Sequence, residues 1–172
     1  MNGSTNYILT KMYEEGTSFD EALKDAQLKG FAESDPTLDV SGLDAAYKAI
    51  ILSQEIFRQS IAVDQVQVQG IEDINAEMIN SAKSKAEKIK LVATLCLQAT
   101  FEIVVRPEVV NPDDLLYNVD NEFNAVEVWG ELSGPQLLVG KGAGSLPTGI
   151  AVLSDLMAIM SQKREVVAGN LH

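Results

Sequence analysis

Helical spacing through the first half of the chain, β-branched and alternating apolar runs through the second, and a return to helical spacing near the end predict an α+β fold. The expected architecture is a mixed, largely antiparallel sheet of about five strands with helices packed on one face. With 46% of its 172 residues hydrophobic, the chain can build a sizeable core as one domain, spanning residues 1–172.

Ile8, Leu9, Met12 and Tyr13 follow helical spacing and stop at Gly16, which suits a left-handed C-terminal cap, so a short first helix is expected. In TSFDEALKDAQLKG, Ser18 and Glu21 have the spacing of a reciprocal capping box, and Phe19, Ala22, Leu23 and Ala26 make one stripe before Gly30. Pro36 pushes Asp35 out of helical backbone and breaks the regularity. It resumes at Ser41, where SGLDAAYKAIILSQEIF opens a longer, more apolar helix to about residue 58. IAVDQVQVQG alternates Val66 and Val68 with glutamines, as a half-buried strand from Val63 to Gln69 should. INAEMINSAKSKAEK reads as an amphipathic helix. KLVATLCLQA, FEIVVRP, NAVEVWGEL and PQLLVG read as four more strands, the last two joined by an SGP turn, and NPDDLLY as a helical turn in a loop. SLPTGIAVLSDLMAIMSQK closes as a helix, with Pro147 in its first turn and Leu153, Leu156, Met157 and Met160 as its stripe.

The formal charge of −12, from 25 acidic and 13 basic residues, argues against a nucleic-acid partner, which needs a concentrated basic face. No apolar run reaches the roughly 18 residues of a membrane helix, and MNGSTNYILTKM lacks both a basic n-region and a small-residue cleavage site. A soluble, cytoplasmic protein without a membrane partner is therefore expected. Cys96 sits in an apolar run that favours a core thiol over a nucleophile. The one histidine is His172, so proton chemistry falls to carboxylates, lysines or tyrosines, and a His/Cys metal site is not expected.

The stretch GFAESDPTLDVSGLDAAYK crowds Glu33, Asp35, Asp39 and Asp44 ahead of Lys48. One reading is purely structural. Ser41 and Asp44 have capping-box spacing, Asp35 starts an Asx turn, and Asp44 with Lys48 is an i,i+4 pair of about 0.2–0.5 kcal/mol. The other reading is functional. A helix puts Asp44 and Lys48 on one face in successive turns, at the mouth of a loop able to bring Glu33 and Asp39 nearby. Several anions around one lysine suit a small substrate with an ammonium group; they would also keep Lys48 charged unless a partner lysine or burial lowered its pKa, and a lysine so lowered can take the proton of an alcohol being oxidised. A hard cation is the rival ligand, but the spacing is not that of an EF-hand loop.

NGSTNYIL at 2–9, GFAESDPTLDVSGLDAAYKAIIL at 30–52, IKLVA at 89–93, FNAVEVWG at 123–130 and GKGAGSLPTGIAVLSDL at 140–156 together resemble the catalytic and dimerisation region of homoserine dehydrogenase, in order and over nearly the whole chain. The resemblance implies reversible oxidation of homoserine to aspartate 4-semialdehyde with NAD or NADP, on the route to threonine, methionine and isoleucine. It also implies that Lys48 and Asp44 are catalytic, that Glu33 and Asp39 contact the substrate's amino group or support that site, and that Gly3 and Ser4 lie at the substrate. Phe31 stands where some members have tyrosine. Gly142, Ala143, Gly144 and Thr148 of the KGAGSLPT loop are implied to approach the cofactor.

The family's Rossmann domain, with its G-x-G-x-x-G turn and second catalytic lysine, has no counterpart in these residues. GKGAGS has serine in place of the last glycine and no following βαβ unit. The chain is thus expected to be the substrate-binding half of an oxidoreductase, inactive alone. The alternative is a non-catalytic module that binds an amino acid or dimerises. A homodimer is expected on either reading, because the strands would otherwise leave a sheet face or edge free.

Overall fold

Asn2 caps the first helix, α1 (Gly3–Glu15), by accepting from Thr5 N, and Gly16 closes it in left-handed backbone. The Ser18–Glu21 capping box starts α2 (Phe19–Leu28) as expected. The computed structural model describes residues 2–97, 101–142 and 149–160. α2 ends in a Schellman turn: Gly30, at φ 72°, lets Phe31 N donate back to Ala26 O at 2.9 Å and Gly30 N to Gln27 O at 3.1 Å. This turn carries Phe31 against Tyr7 of α1, with ring centroids 4.9 Å apart.

Asp35 accepts from Thr37 N at 3.2 Å, the anticipated Asx turn, and starts the short α3 (Thr37–Val40). α4 (Leu43–Leu52) follows at once, and here the expected capping box is absent. Ser41 ends α3, so its hydroxyl turns back toward Leu38 O, and the N-cap is Gly42 at φ 83° with no side-chain cap. A side chain at Gly42 would be strained and would press on Val68, Val105 and the Gln69 carbonyl. The helical segment reaches Phe57, about as far as expected, but its end is not α: the hydroxyl of buried Ser53 is shared between Ile50 O and Gln59 O, and residues Ser53–Phe57 widen into a π-helix.

The strand expected over Val63–Gln69 is mostly absent. Val63–Gln65 form a 3₁₀ turn, with Gln65 Oε1 accepting from Ala62 N, and only β1 (Gln67–Val68) is extended. α5 (Ala76–Ser84), β2 (Lys88–Leu97), β3 (Phe101–Val110), β4 (Phe123–Gly130) and β5 (Gly134–Lys141) lie where the periodicity predicts, and residues 149–160 are helical. Cys96, on β2, is half-buried. NPDDLLY forms turns closed by Tyr117 N on Asp114 O.

The α+β class and the number of strands hold, but the strands make two sheets instead of one. β1 pairs parallel and β2 antiparallel with β3, while β4 and β5 form a separate hairpin. The reason is the segment before β4, which is tied to α1 and not to the sheet edge. Asn6 Nδ2 donates to the carbonyls of Val119, Asn121 and Phe123 at 2.9–3.0 Å, and Thr10 Oγ1 accepts from Asn121 N. α1, α4 and α5 cover the three-stranded sheet.

Two apolar clusters result. One joins α1, α2, Val40 of α3, Ile71, Ile74 and α5; the other joins Ala45, Ala46 and Ala49 of α4 to Val66, Ile103 and Val105. Lys90, 6% exposed, lies at the polar edge of the first. It donates to Val119 O, Asn6 Oδ1 and Asp120 Oδ1. Burial lowers the Lys90 ammonium below its ordinary value, and Asp120 offsets only part of this. For Asp120, burial alone would push the carboxyl up, but Lys88 and Lys90 together hold it below the usual range.

Removing Asp120 would leave Lys90 buried without its counter-charge. Asp120→Ala should therefore cost about 3 kcal/mol in urea denaturation, and a loss under about 0.5 kcal/mol, the scatter of an ordinary surface substitution, would show the pair to be dispensable. A second prediction concerns acid. Tyr7 Oη, then Lys29 and Lys11, hold the Asp25 carboxyl down to about 2, below its unfolded value. That stabilisation is complete above about pH 4 and is lost as pH falls toward 2. Urea midpoints of Asp25→Asn should fall less steeply than wild type across this window, and identical slopes would count against the assignment.

Candidate active site

The acidic stretch is drawn against the head of α1. Asp44, in the first turn of α4, and Lys48, one turn on, face the same way, so Lys48 Nζ lies 2.6 Å from Asp44 Oδ2. Half-buried Asp39 comes from α3 just before the Gly42 corner. That corner is fixed from behind. Ile71 N donates to Val40 O at 2.8 Å, and a Cβ on Gly70 would meet Ser41 Cα at 2.6 Å.

Between the carboxylates lies Asn2, 5% exposed. Its Nδ2 donates to Asp39 Oδ1 at 2.6 Å and to Asp44 Oδ2 at 2.8 Å. The two anions thus share one amide at the positive end of α1, and Asp44 Oδ2 also accepts from Lys48. Lys48 is partly exposed, so the ion pair alone contributes on the order of 0–1 kcal/mol. Its meaning is orientation: the ammonium is pinned at the corner where α1, α3 and α4 meet.

Of the residues expected at the substrate, Asp39, Asp44 and Lys48 come together in this way. Gly3 and Ser4 form the buried first turn of α1, and Ser4 Oγ donates to Phe31 O at 2.6 Å, leaving its hydroxyl with acceptor capacity. Glu33 is exposed on the turn between α2 and α3, where Gln27 Nε2 holds its carbonyl at 3.0 Å. Its carboxylate stands apart from the bonded group. Among the residues expected at a cofactor, Gly142 follows β5 with its N–H on Glu122 O, and a Cβ there would overlap the Asn124 amide. Ala143, Gly144 and Thr148, like Pro147, lie outside the described residues.

A groove of about 380 Å³ separates β2 from β4. Asn2, Asn6 and Lys90 form its polar end, and Leu91, Leu95 and Trp129 are among its apolar lining. It meets the carboxylates only through Asn2, and such walls do not suit a small charged ligand. The candidate site is the corner beside it.

Sequence reasoning missed Asn2, Asn6, Lys90 and Asp120. For Asn2 a signal existed: an N-cap residue type stands directly before the glycine of NGST. The other three are linked only by the fold.

The family model described as homoserine dehydrogenase matches residues 1–157. The chain is 44% identical over 171 residues to homoserine dehydrogenase of Bacillus subtilis, covering 99% of itself but 40% of that relative's length. A crystal structure of S. aureus homoserine dehydrogenase at pH 6.0 superimposes with a TM-score of 0.84 at 41% identity, covering 95% of this chain and 42% of that one. A hyperthermophilic archaeal homoserine dehydrogenase in complex with NADPH gives a TM-score of 0.73 at 30% identity, covering 94% of this chain and 46% of that one. Among the described residues no helix is long and apolar enough to cross a membrane. A family match over most of the chain, a shared fold and identities of this size place the chain, as a segment under half the length of those relatives, in the homoserine dehydrogenase family.

Proposed function

We propose that residues 1–172 are the substrate-binding and catalytic half of an NAD- or NADP-dependent homoserine dehydrogenase, acting with a nucleotide-binding half and inactive alone. The observation that carries this reading is the joining of Asp39, Asp44 and Lys48 into one hydrogen-bonded corner.

Homoserine carries an ammonium at one end and a hydroxyl at the other. Asp39, with exposed Glu33 on the preceding turn, supplies anions for the ammonium. Lys48, aimed by Asp44, meets the hydroxyl oxygen; as the neutral amine it takes up the hydroxyl proton while the carbon–oxygen bond becomes a carbonyl, and in the reverse direction its ammonium returns that proton. When bound, the nicotinamide cofactor takes up or returns the hydride. Of the residues expected toward it, Gly142 leaves room for the Asn124 amide, whose Oδ1 is buried without a donor among the described residues.

A dimer fits the same residues. Trp129, Leu132, Leu138 and Val139 of the β4–β5 hairpin are exposed, as are Ile150, Leu153, Leu156 and Met160 of helix 149–160. Apolar groups in this number suit cover by a second copy and by the nucleotide-binding half. Amino-acid biosynthesis in the cytoplasm is the setting this reading implies.

The test supplies a nucleotide-binding half from a full-length relative, covalently joined ahead of this chain, and follows NADPH oxidation with aspartate 4-semialdehyde. Turnover should appear in the joined protein and be absent from the isolated chain; an inactive joined protein that binds NADPH and folds would sink the reaction. Lys48→Met should lower kcat by about 10²–10⁴-fold, the span of general acid–base catalysis, with the urea midpoint unchanged. Glu33→Gln and Asp39→Asn should instead act mainly on KM for homoserine, raising it about 10-fold each for one lost charge-assisted hydrogen bond. An effect confined to kcat would refute their place at the ammonium.

A further inference from the structure

Asn2 meets demands that few side chains can meet together. As N-cap of α1 it must accept from Thr5 N, which its Oδ1 does at 2.8 Å. At the same time its Nδ2 faces two carboxylate oxygens, at 2.6 and 2.8 Å. Only this amide orientation is workable, since exchanging oxygen and nitrogen would set an acceptor against two anions. Aspartate would cap the helix but has no donor for the carboxylates. Serine would cap it too, with a single proton on a shorter arm. Alanine would do neither. An asparagine that is nearly fully buried and uses its acceptor and both amide hydrogens is selected for more than a helix start.

Its position in the packing points the same way. Asp39 follows a backbone anchored by Val40 in the α1 cluster, whereas Asp44 and Lys48 ride on α4, whose alanines pack in the other cluster. The Asn2 amide spans the boundary. It is the shared partner of the residue assigned to the ammonium and the residue that aims the lysine, and two carboxylates brought to one nitrogen would repel each other without it.

We propose that Asn2 is a positioning residue of the substrate site: its amide, fixed at the head of α1, sets the separation of Asp39 from Asp44 and, through Asp44, the direction of Lys48. The role rests on the reading of those residues given above. It adds that substrate anchoring and proton transfer are tied together by one uncharged side chain that touches neither reacting atom.

Two measurements test it. In the isolated chain, the two Asn2 side-chain amide protons should resonate downfield of free amides. Asp39→Asn should move one and Asp44→Asn the other; if neither substitution moves either proton, the bridge is refuted. In the joined enzyme, Asn2→Ser keeps the cap, so the urea midpoint should stay put while kcat falls about 10–100-fold, as when a group one step removed from the reacting atoms is lost, and KM for homoserine rises. Asn2→Asp, which caps equally well but adds a third anion, should be worse in both. A serine variant within two-fold of wild type in both parameters would reduce Asn2 to a cap and overturn the proposal. An inactive unsubstituted enzyme would count against the reaction, and the amide resonances would then still confirm or refute the bridge.

Discussion

A helix buried along most of its length must find a partner for every polar group it carries, and α1 is such a helix. It holds Asn2, Ser4, Thr5, Asn6, Tyr7 and Thr10 inside or at the edge of the core beside Ile8, Leu9 and Met12. A buried polar group left unpaired costs about 1–3 kcal/mol, so the rest of the chain is arranged around satisfying them. Ser4 takes the Phe31 carbonyl, Tyr7 pairs with Asp25 and Lys29, Asn6 and Thr10 bind the 119–123 segment, and Asn2 takes the two carboxylates. The turn after α2, the hairpin and the acidic corner are each docked by one of these bonds.

Such a helix is hard to read from sequence as anything more than short and amphipathic. Its apolar spacing and its glycine stop are local signals and were legible, as were the Ser18–Glu21 box, the Asx turn at Asp35 and the long β-branched runs. What failed depended on distant residues. Ser41 and Asp44 have capping-box spacing, yet Gly42 packs so closely on Val68 and Val105 that the chain turns there in left-handed backbone and the serine ends the previous helix. Val63–Gln69 alternates, yet only its end meets β3: Gln67 and Val68 pair with it, and Gln69 N donates to Val105 O. The hairpin leaves the sheet because of Asn6, more than a hundred residues away in sequence.

The carboxylate-rich stretch shows how a local signal can be right in chemistry and wrong in role. Asp44 neither caps its helix nor stands as an isolated surface ion pair with Lys48. Its carboxylate is spent on Asn2 and Lys48, both outside the backbone of its own helix. Spacing put Asp44 and Lys48 on one face, and that held. The partner that gives the pair a direction comes from the other end of the core, and no spacing within residues 30–48 contains it.

The division of the interior into two apolar clusters has a mechanical side. Ala45, Ala46 and Ala49 bring α4 close against Val66, Ile103 and Val105, with Ile50 packed beside them. Small side chains key a helix along a sheet less firmly than large interlocking ones do. Any slip of α4 along the sheet would change the distance from Asp39, whose neighbour Val40 sits in the first cluster, to Lys48. That distance is held by the Gly42 corner, packed on Val68 and Val105, together with the two hydrogen bonds of the Asn2 amide.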